Sequence, residues 1–236
     1  MRRLTLIAGV FSLIPFISQV HAELIDSFET AQTLAVNNVT TFAEDDTGPG
    51  SGMLWNNRYA ALQRFSGGVG ASVYVNVDSA GYMDFNQDSR VESTALFVWD
   101  GAEHEGQHPL VIDTSHSVDL TNNGVNNALA IDVVRDDLPI DLEMTLYGVS
   151  QSASYTLSLP GGIVSTTTYL VPFSAFTDIN LVDPTDVRAV TLLVNGTLSE
   201  GVDLTLDEFR STNIPEPAAW LLIALGLLGF GVFRRK

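Results

Sequence analysis

The 236-residue chain contains no cysteine. That excludes disulfide staples, thiolate nucleophiles and cysteine-ligated zinc, so any exported domain must hold together through its apolar core or with a metal ion. Basic residues are almost as scarce. Of the 11 lysines and arginines, Arg2, Arg3, Arg234, Arg235 and Lys236 stand at the two ends, leaving six arginines between residues 23 and 213. The same stretch holds 27 of the 28 acidic residues and so carries a net charge of −21. A field of that sign repels nucleic acid and anionic lipid surfaces. It suits solubility outside a cell, or binding of a divalent cation. Also missing are an amphipathic helix of three turns, an internal repeat of constant spacing, a nucleophile elbow and a phosphate loop.

What is present begins with the two ends. Arg2-Arg3 precede an apolar run from Leu4 to Ile17, and Val20-His21-Ala22 supply a small-residue cleavage site between Ala22 and Glu23. This pattern predicts a secretory signal peptide over residues 1–22. An uncleaved anchor is the competing reading; the run is short for a membrane span, and polar Ser18-Gln19 follow it. At the other end, residues 218–233 (AAWLLIALGLLGFGVF) carry no charge. As a helix they would reach roughly 24 Å at 1.5 Å per residue, somewhat less than a hydrocarbon core of about 30 Å. Pro215 and Pro217 stop a helix from running in from the body, and Arg234-Arg235-Lys236 would keep the far end on the cytoplasmic side.

Ile214-Pro215-Glu216-Pro217, the apolar helix with its glycines and the terminal basic cluster together resemble the PEP-CTERM sorting signal. The resemblance implies recognition by an exosortase, a membrane-embedded cysteine transpeptidase, and removal of the tail near Pro215-Glu216-Pro217. It also implies a Gram-negative-type envelope and association with extracellular polysaccharide or biofilm matrix. A plain single-pass anchor is the alternative. Residues 214–236 are therefore expected to be a sorting signal that rests transiently in the inner membrane.

Residues 23–213 read as strand. Ile140-Asp141-Leu142-Glu143-Met144-Thr145-Leu146 alternates strictly between apolar and polar, and shorter alternations run through Val73–Val77, Tyr155–Leu159 and Val202–Leu206. Turn signals separate them: Ser66-Gly67-Gly68, Asp100-Gly101, Asn122-Asn123-Gly124, Pro160-Gly161-Gly162 and Asn195-Gly196. Thr94–Trp99 is apolar on both faces, as a central strand would be. Residues 43–52 (AEDDTGPGSG) read as a loop. The expected fold is an all-β antiparallel β-sandwich, jelly-roll-like, between the signal peptide and the C-terminal sorting helix. Asp26-Ser27-Phe28-Glu29, Val98-Trp99-Asp100-Gly101, Ser158-Leu159-Pro160-Gly161-Gly162 and Leu206-Asp207-Glu208-Phe209 resemble the sandwich domain of other PEP-CTERM proteins, whose layout is similar to carbohydrate-binding jelly rolls.

Four sets of residues could carry chemistry. His104-Glu105-Gly106-Gln107-His108 fits the H-E-x-x-H pattern, in which two histidines on one helix face hold zinc and the glutamate activates its water. Gly106, Pro109 and Gly101 oppose a helix there, and no third histidine follows at the right spacing. Asp84-Phe85-Asn86-Gln87-Asp88 opens like a calcium loop but lacks its glycine and its closing glutamate, so it reads as a polar loop. If the first and last strands lie side by side, Asp26, Glu29, Asp207 and Glu208 could gather as oxygen ligands of a structural calcium ion. Trp55, Arg58, Tyr59 and Tyr82 offer rings and a polar neighbour for a glycan. Trp99 reads as core, and the pairs Asp45-Asp46 and Asp136-Asp137 read as solvated.

These readings converge on an exported, non-enzymatic envelope or extracellular-matrix protein. Its expected partners are an exosortase and the secretion machinery during export, and extracellular polysaccharide afterwards. A calcium-dependent glycan-binding module is the second expectation, and a zinc hydrolase using residues 104–108 the third.

Overall fold

A computed structural model describes residues 22–68, 70–76, 80–107 and 109–215. The signal peptide before Ala22 and the apolar helix at 218–233 lie outside the described residues, as do Glu216, Pro217 and the basic cluster. Among the described residues no helix is long and apolar enough to cross a membrane.

The described chain forms β1 (Leu24–Asp26), β2 (Gln32–Val36), β3 (Phe42–Thr47), β4 (Arg58–Ser66), β5 (Ala71–Val75), β6 (Met83–Gln87) and β7 (Glu92–Trp99). It continues with β8 (Ala128–Asp136), β9 (Ile140–Tyr147), β10 (Ser152–Leu159), β11 (Thr167–Pro172), β12 (Ala189–Asn195) and β13 (Asp203–Thr212). They make two antiparallel sheets, ordered β11-β8-β13-β6-β5-β2 and β10-β9-β12-β7-β4-β3. β13 is long enough to take β8 along one side and two partners along the other: β6 pairs its first half, and β1 pairs Phe209 and Arg210 in its second. The first and last strands are thus neighbours, and the architecture is the expected jelly-roll-like sandwich.

Alternation decides which side chains enter the space between the sheets. Along β9 every second residue, Ile140, Leu142, Met144 and Leu146, is buried. The same rule directs Val73 and Val75 of β5, Phe97 and Trp99 of β7, and Leu129, Ile131 and Val133 of β8 into one core with Phe28, Phe85 and Phe209. Each large side chain fully buried this way contributes about 1.5–3 kcal/mol. With no disulfide available, this core is the main source of stability.

Two segments read as loops are strands. β3 covers the first half of the acidic stretch at 43–52, and it forms the edge of its sheet, where Glu44, Asp45 and Asp46 keep their charges near water and guard against edge-to-edge pairing. β6 covers Met83–Gln87 because Met83, Phe85 and Gln87 face inward while Asp84 and Asn86 face outward. The calcium-loop spacing was therefore a period-2 strand pattern.

The connection from β7 to β8 folds back over the outer face of the second sheet. There Leu110 and Ile112 pack on Tyr59, Ala61 and Val98, making a small second core. This explains why β4 is buried on both faces through Leu62.

Candidate functional site

Arg58 enters the core side of β4 and meets Asp26 of β1, Nη1 to Oδ2 at 2.7 Å, with both side chains shielded from water. Trp99 Nε1 donates to the same oxygen at 2.8 Å, and the Phe28 amide donates to Asp26 Oδ1 at 2.6 Å. Arg58 also donates from Nε to Gln32 Oε1 at 2.9 Å and from Nη2 to the Thr30 carbonyl at 2.8 Å. A buried ion pair survives desolvation only when its remaining lone pairs and protons are satisfied, and here most of them are.

This cluster engages Asp26, one of the four oxygen ligands expected for a calcium ion. Both Asp26 oxygens are occupied by donors, and the arginine stands where a cation would. Arg210 does the same further along, reaching Asp132 at 2.7 Å and Glu208 at 3.0 Å. Burial raises the pKa of Asp207, and the nearby Asp132 and Glu29 charges push in the same direction against Arg210. Among the described residues no group of three or more acidic or histidine side chains is arranged to hold a metal ion.

The four glycan candidates do not form one platform, because consecutive strand residues point to opposite faces. Arg58 goes into the core and Tyr59 to the outer face under the β7–β8 connection, where its hydroxyl donates to Glu44 Oε2 at 2.7 Å. Trp55, in a short 3-10 turn with positive φ, lies against His116 with ring centroids 5.6 Å apart. Of the four, Tyr82 alone is exposed.

The H-E-x-x-H segment is a turn closed by the Gln107 amide on the His104 carbonyl at 2.8 Å; His108 lies outside the described residues. His104 is buried, with Nε2 2.8 Å from Asp100 Oδ2 and Nδ1 3.2 Å from Gln107 Oε1, so both ring nitrogens are engaged. The amides of His104 and Glu105 donate to Asp46 Oδ2, and that of Gly106 donates to Glu44 Oε1. Three successive amides converging on carboxylates make an anion nest that the edge strand β3 fills from within the chain. The geometry is that of a docked turn, and the zinc-helix arrangement is absent from residues 104–107.

Sequence reasoning missed the outer face of the first sheet. A recess of about 400 Å³ runs over β2, β5, β6 and the start of β13, floored by small residues such as Ala35 and Ser72 and flanked by Tyr74, Asn86, Asp88 and Asp203. Ser72 sits between Ala35 and Asn86 in register, and Asn86 is opposite Asp203. Tyr74, 36% exposed, is in register with Thr33 and Asp84. Burial and the neighbouring Asp137 raise the Asp203 pKa, while Arg135 opposes them. The available signal was the alternation of Val73-Tyr74-Val75, which sends Tyr74 outward.

At the end of β13 the chain does not leave the body at once. Asn127, just ahead of β8, accepts from the Ile214 amide at 2.7 Å and donates to the Ile214 carbonyl at 3.2 Å. Ile214 and Pro215 line a recess with Pro172, Phe173 and Asn126.

No curated protein matches the chain. Among solved structures, it is similar to the family 11 carbohydrate-binding module of a cellulosomal cellulase of Clostridium thermocellum, with 12% identity, 84% of this chain and 99% of that chain covered, and a TM-score of 0.39. The family 30 module of another Clostridium thermocellum cellulosomal cellulase gives 10% identity, 83% and 98% coverage, and a TM-score of 0.39. An exo-β-agarase gives 11% identity, 82% and 26% coverage, and a TM-score of 0.41. At that level of likeness none of them bears on what this chain binds. Residues 213–236 match the PEP-CTERM protein-sorting motif, which begins directly after β13 and marks the chain as an exported protein of the exosortase-sorted kind.

Proposed function

We propose that the sandwich is a non-enzymatic protein of the cell envelope or extracellular matrix. Its leader carries it across the inner membrane, the apolar tail holds it there transiently, and an exosortase detaches it. The observation that carries this reading is the sorting motif set directly on the last strand, with no linker or second domain between them. Two further features support it. Two groups that sequence offered as metal ligands are engaged inside the fold, His104 with Asp100 and Asp26 with Arg58. The charge of −21 on residues 23–213 keeps copies apart in a crowded exterior. Fractionation of cells with and without their exosortase tests the reading. In its presence the protein is expected at the surface or in the medium without residues 218–236; in its absence the full tail is expected in the inner membrane. Identical location and mass in both strains would contradict it.

A second reading, a glycan-binding module, is favoured by the recess beside Tyr74, where a ring face stands beside amide and carboxylate groups. The acidic surroundings select a neutral or amine-bearing polysaccharide over one rich in uronic acid. Calcium has no part in this reading, since Asp26 is already committed. Affinity electrophoresis through neutral and amine-bearing polysaccharides, with and without a chelator, tests it: chelator-insensitive retention lost in Tyr74→Ala supports it, and unretarded migration of the wild type on every gel contradicts it.

A further inference from the structure

The first residues of the sorting motif belong to the fold. Thr212 is the last rung of the β13–β8 ladder, opposite Ala128. Beyond it, the Asn127 side chain imitates one more rung by taking both backbone polar groups of Ile214, at 2.7 and 3.2 Å. Asn127 is itself fixed by its backbone, donating to the Thr212 carbonyl at 3.0 Å and accepting from the Phe173 amide at 2.9 Å. Pro215 follows along the recess beside Pro172 and Phe173. From Pro215 to the start of the apolar tail at Ala218 is three Cα steps, about 10 Å of extended chain.

We propose that Asn127 is a positioning residue for tail removal: its clamp on Ile214 keeps the sorting segment against the sandwich and must open before an exosortase can act. This rests on the reading of residues 213–236 as a processed signal. Enzymes that cut extended peptides pair with the substrate backbone as an added strand would. The amide and carbonyl of Ile214 sit directly ahead of Pro215-Glu216-Pro217, and Asn127 holds both. With the clamp closed, at most about 10 Å of extended chain joins Pro215 to the apolar tail. Opening it frees the chain back to Asn213 and lengthens the accessible stretch to roughly 16 Å. Two exposed hydrogen bonds are a weak lock, so the clamp slows processing without preventing it.

The test is pulse-chase labelling of the full chain in cells that contain the exosortase, following loss of the tail. Asn127→Ala is expected to shorten the precursor half-time roughly 3- to 10-fold, and Asn127→Asp, which keeps the acceptor and loses the donor, by a smaller factor. The urea midpoint of the detached body should be the same in all three, because the exposed Asn127 side chain carries none of the sandwich's own ladder. Hydrogen exchange on the wild-type precursor gives a reading that needs no variant: the Ile214 amide should be protected. Unchanged or slower processing in Asn127→Ala, or a freely exchanging Ile214 amide, overturns the inference while leaving the sorting reading intact. A wild-type tail that never leaves overturns both.

Discussion

Asp26 of β1 and Arg58 of β4 join the two sheets through a 2.7 Å ion pair that water does not reach. Removing one partner strands the other charge in the core. Asp26→Asn is therefore expected to destabilise the sandwich by about 3–5 kcal/mol, read as a fall in urea midpoint. The double variant Asp26→Leu/Arg58→Met should recover a large part of that loss, though not all, since Trp99 Nε1 and the Phe28 amide also lose their acceptor. Additive losses in the cycle of Asp26→Leu, Arg58→Met and the double variant would contradict the pairing.

Asp136 gives the stability a measurable pH dependence. It is fully buried, its Oδ2 accepts from the Gly161 amide at 3.1 Å, and its Oδ1 has no hydrogen-bond partner among the described residues. Burial pushes its pKa from 3.8 up to about 6, with the Asp137 charge adding to the shift. Between those values the folded state holds a proton that the unfolded state has released, so stability falls as pH rises through the window and stays low above it. Asp136→Asn should gain about 1–3 kcal/mol over wild type at pH 7.5 and almost nothing at pH 3.5. Denaturant titrations of both proteins across pH 3.5–7.5 check this; a constant difference would contradict it. Asp203 and Asp207, also raised, act in the same direction, whereas the lowered Asp113, Asp119 and Asp186 act in the opposite one.

The turn at residues 104–107 depends on β3. Asp46→Ala leaves the amides of His104 and Glu105 without their acceptor and should cost about 1–2 kcal/mol, with new protease cleavage near residue 105. Glu105→Gln should change neither stability nor metal content, because the Glu105 carboxylate makes none of these contacts. Stoichiometric zinc in the purified body, lost in Glu105→Gln, would contradict this account of the segment.

Gly161 adopts φ +78°, and a Cβ there would stand 2.8 Å from the Leu138 carbonyl carbon. Gly161→Ala is expected to lose roughly 1–3 kcal/mol through backbone strain and contact, and to weaken the hydrogen bond to Asp136. Gly162 has a similar φ but open space around it, so Gly162→Ala should cost less. Equal thermal midpoints for the two variants would contradict the assignment.

How much of this was legible in sequence depended on whether one face of a strand was uniformly apolar. The β9 alternation and the two-faced apolar β7 were readable because periodicity alone fixes them. β3 was not: its acidic side chains lower strand propensity, and only its place at a sheet edge makes them tolerable. β6 was misread because Asp84, Asn86 and Asp88 imitate a calcium loop while their spacing of two also fits a strand. Arg58 read as a polar neighbour for a glycan and Asp136 as solvated because a single sequence does not show the partner or the loop that buries a charge. The clamp of Asn127 on Ile214 joins residues 87 positions apart, beyond any local signal.

The central claim is that the body is exported and sorted through its tail. Intact mass spectrometry of the mature protein from its native host tests it most directly. The mature chain is expected to begin at Glu23 and to lack Ala218–Lys236. A mass that retains Ala218–Lys236 would contradict it and leave a membrane-anchored sandwich.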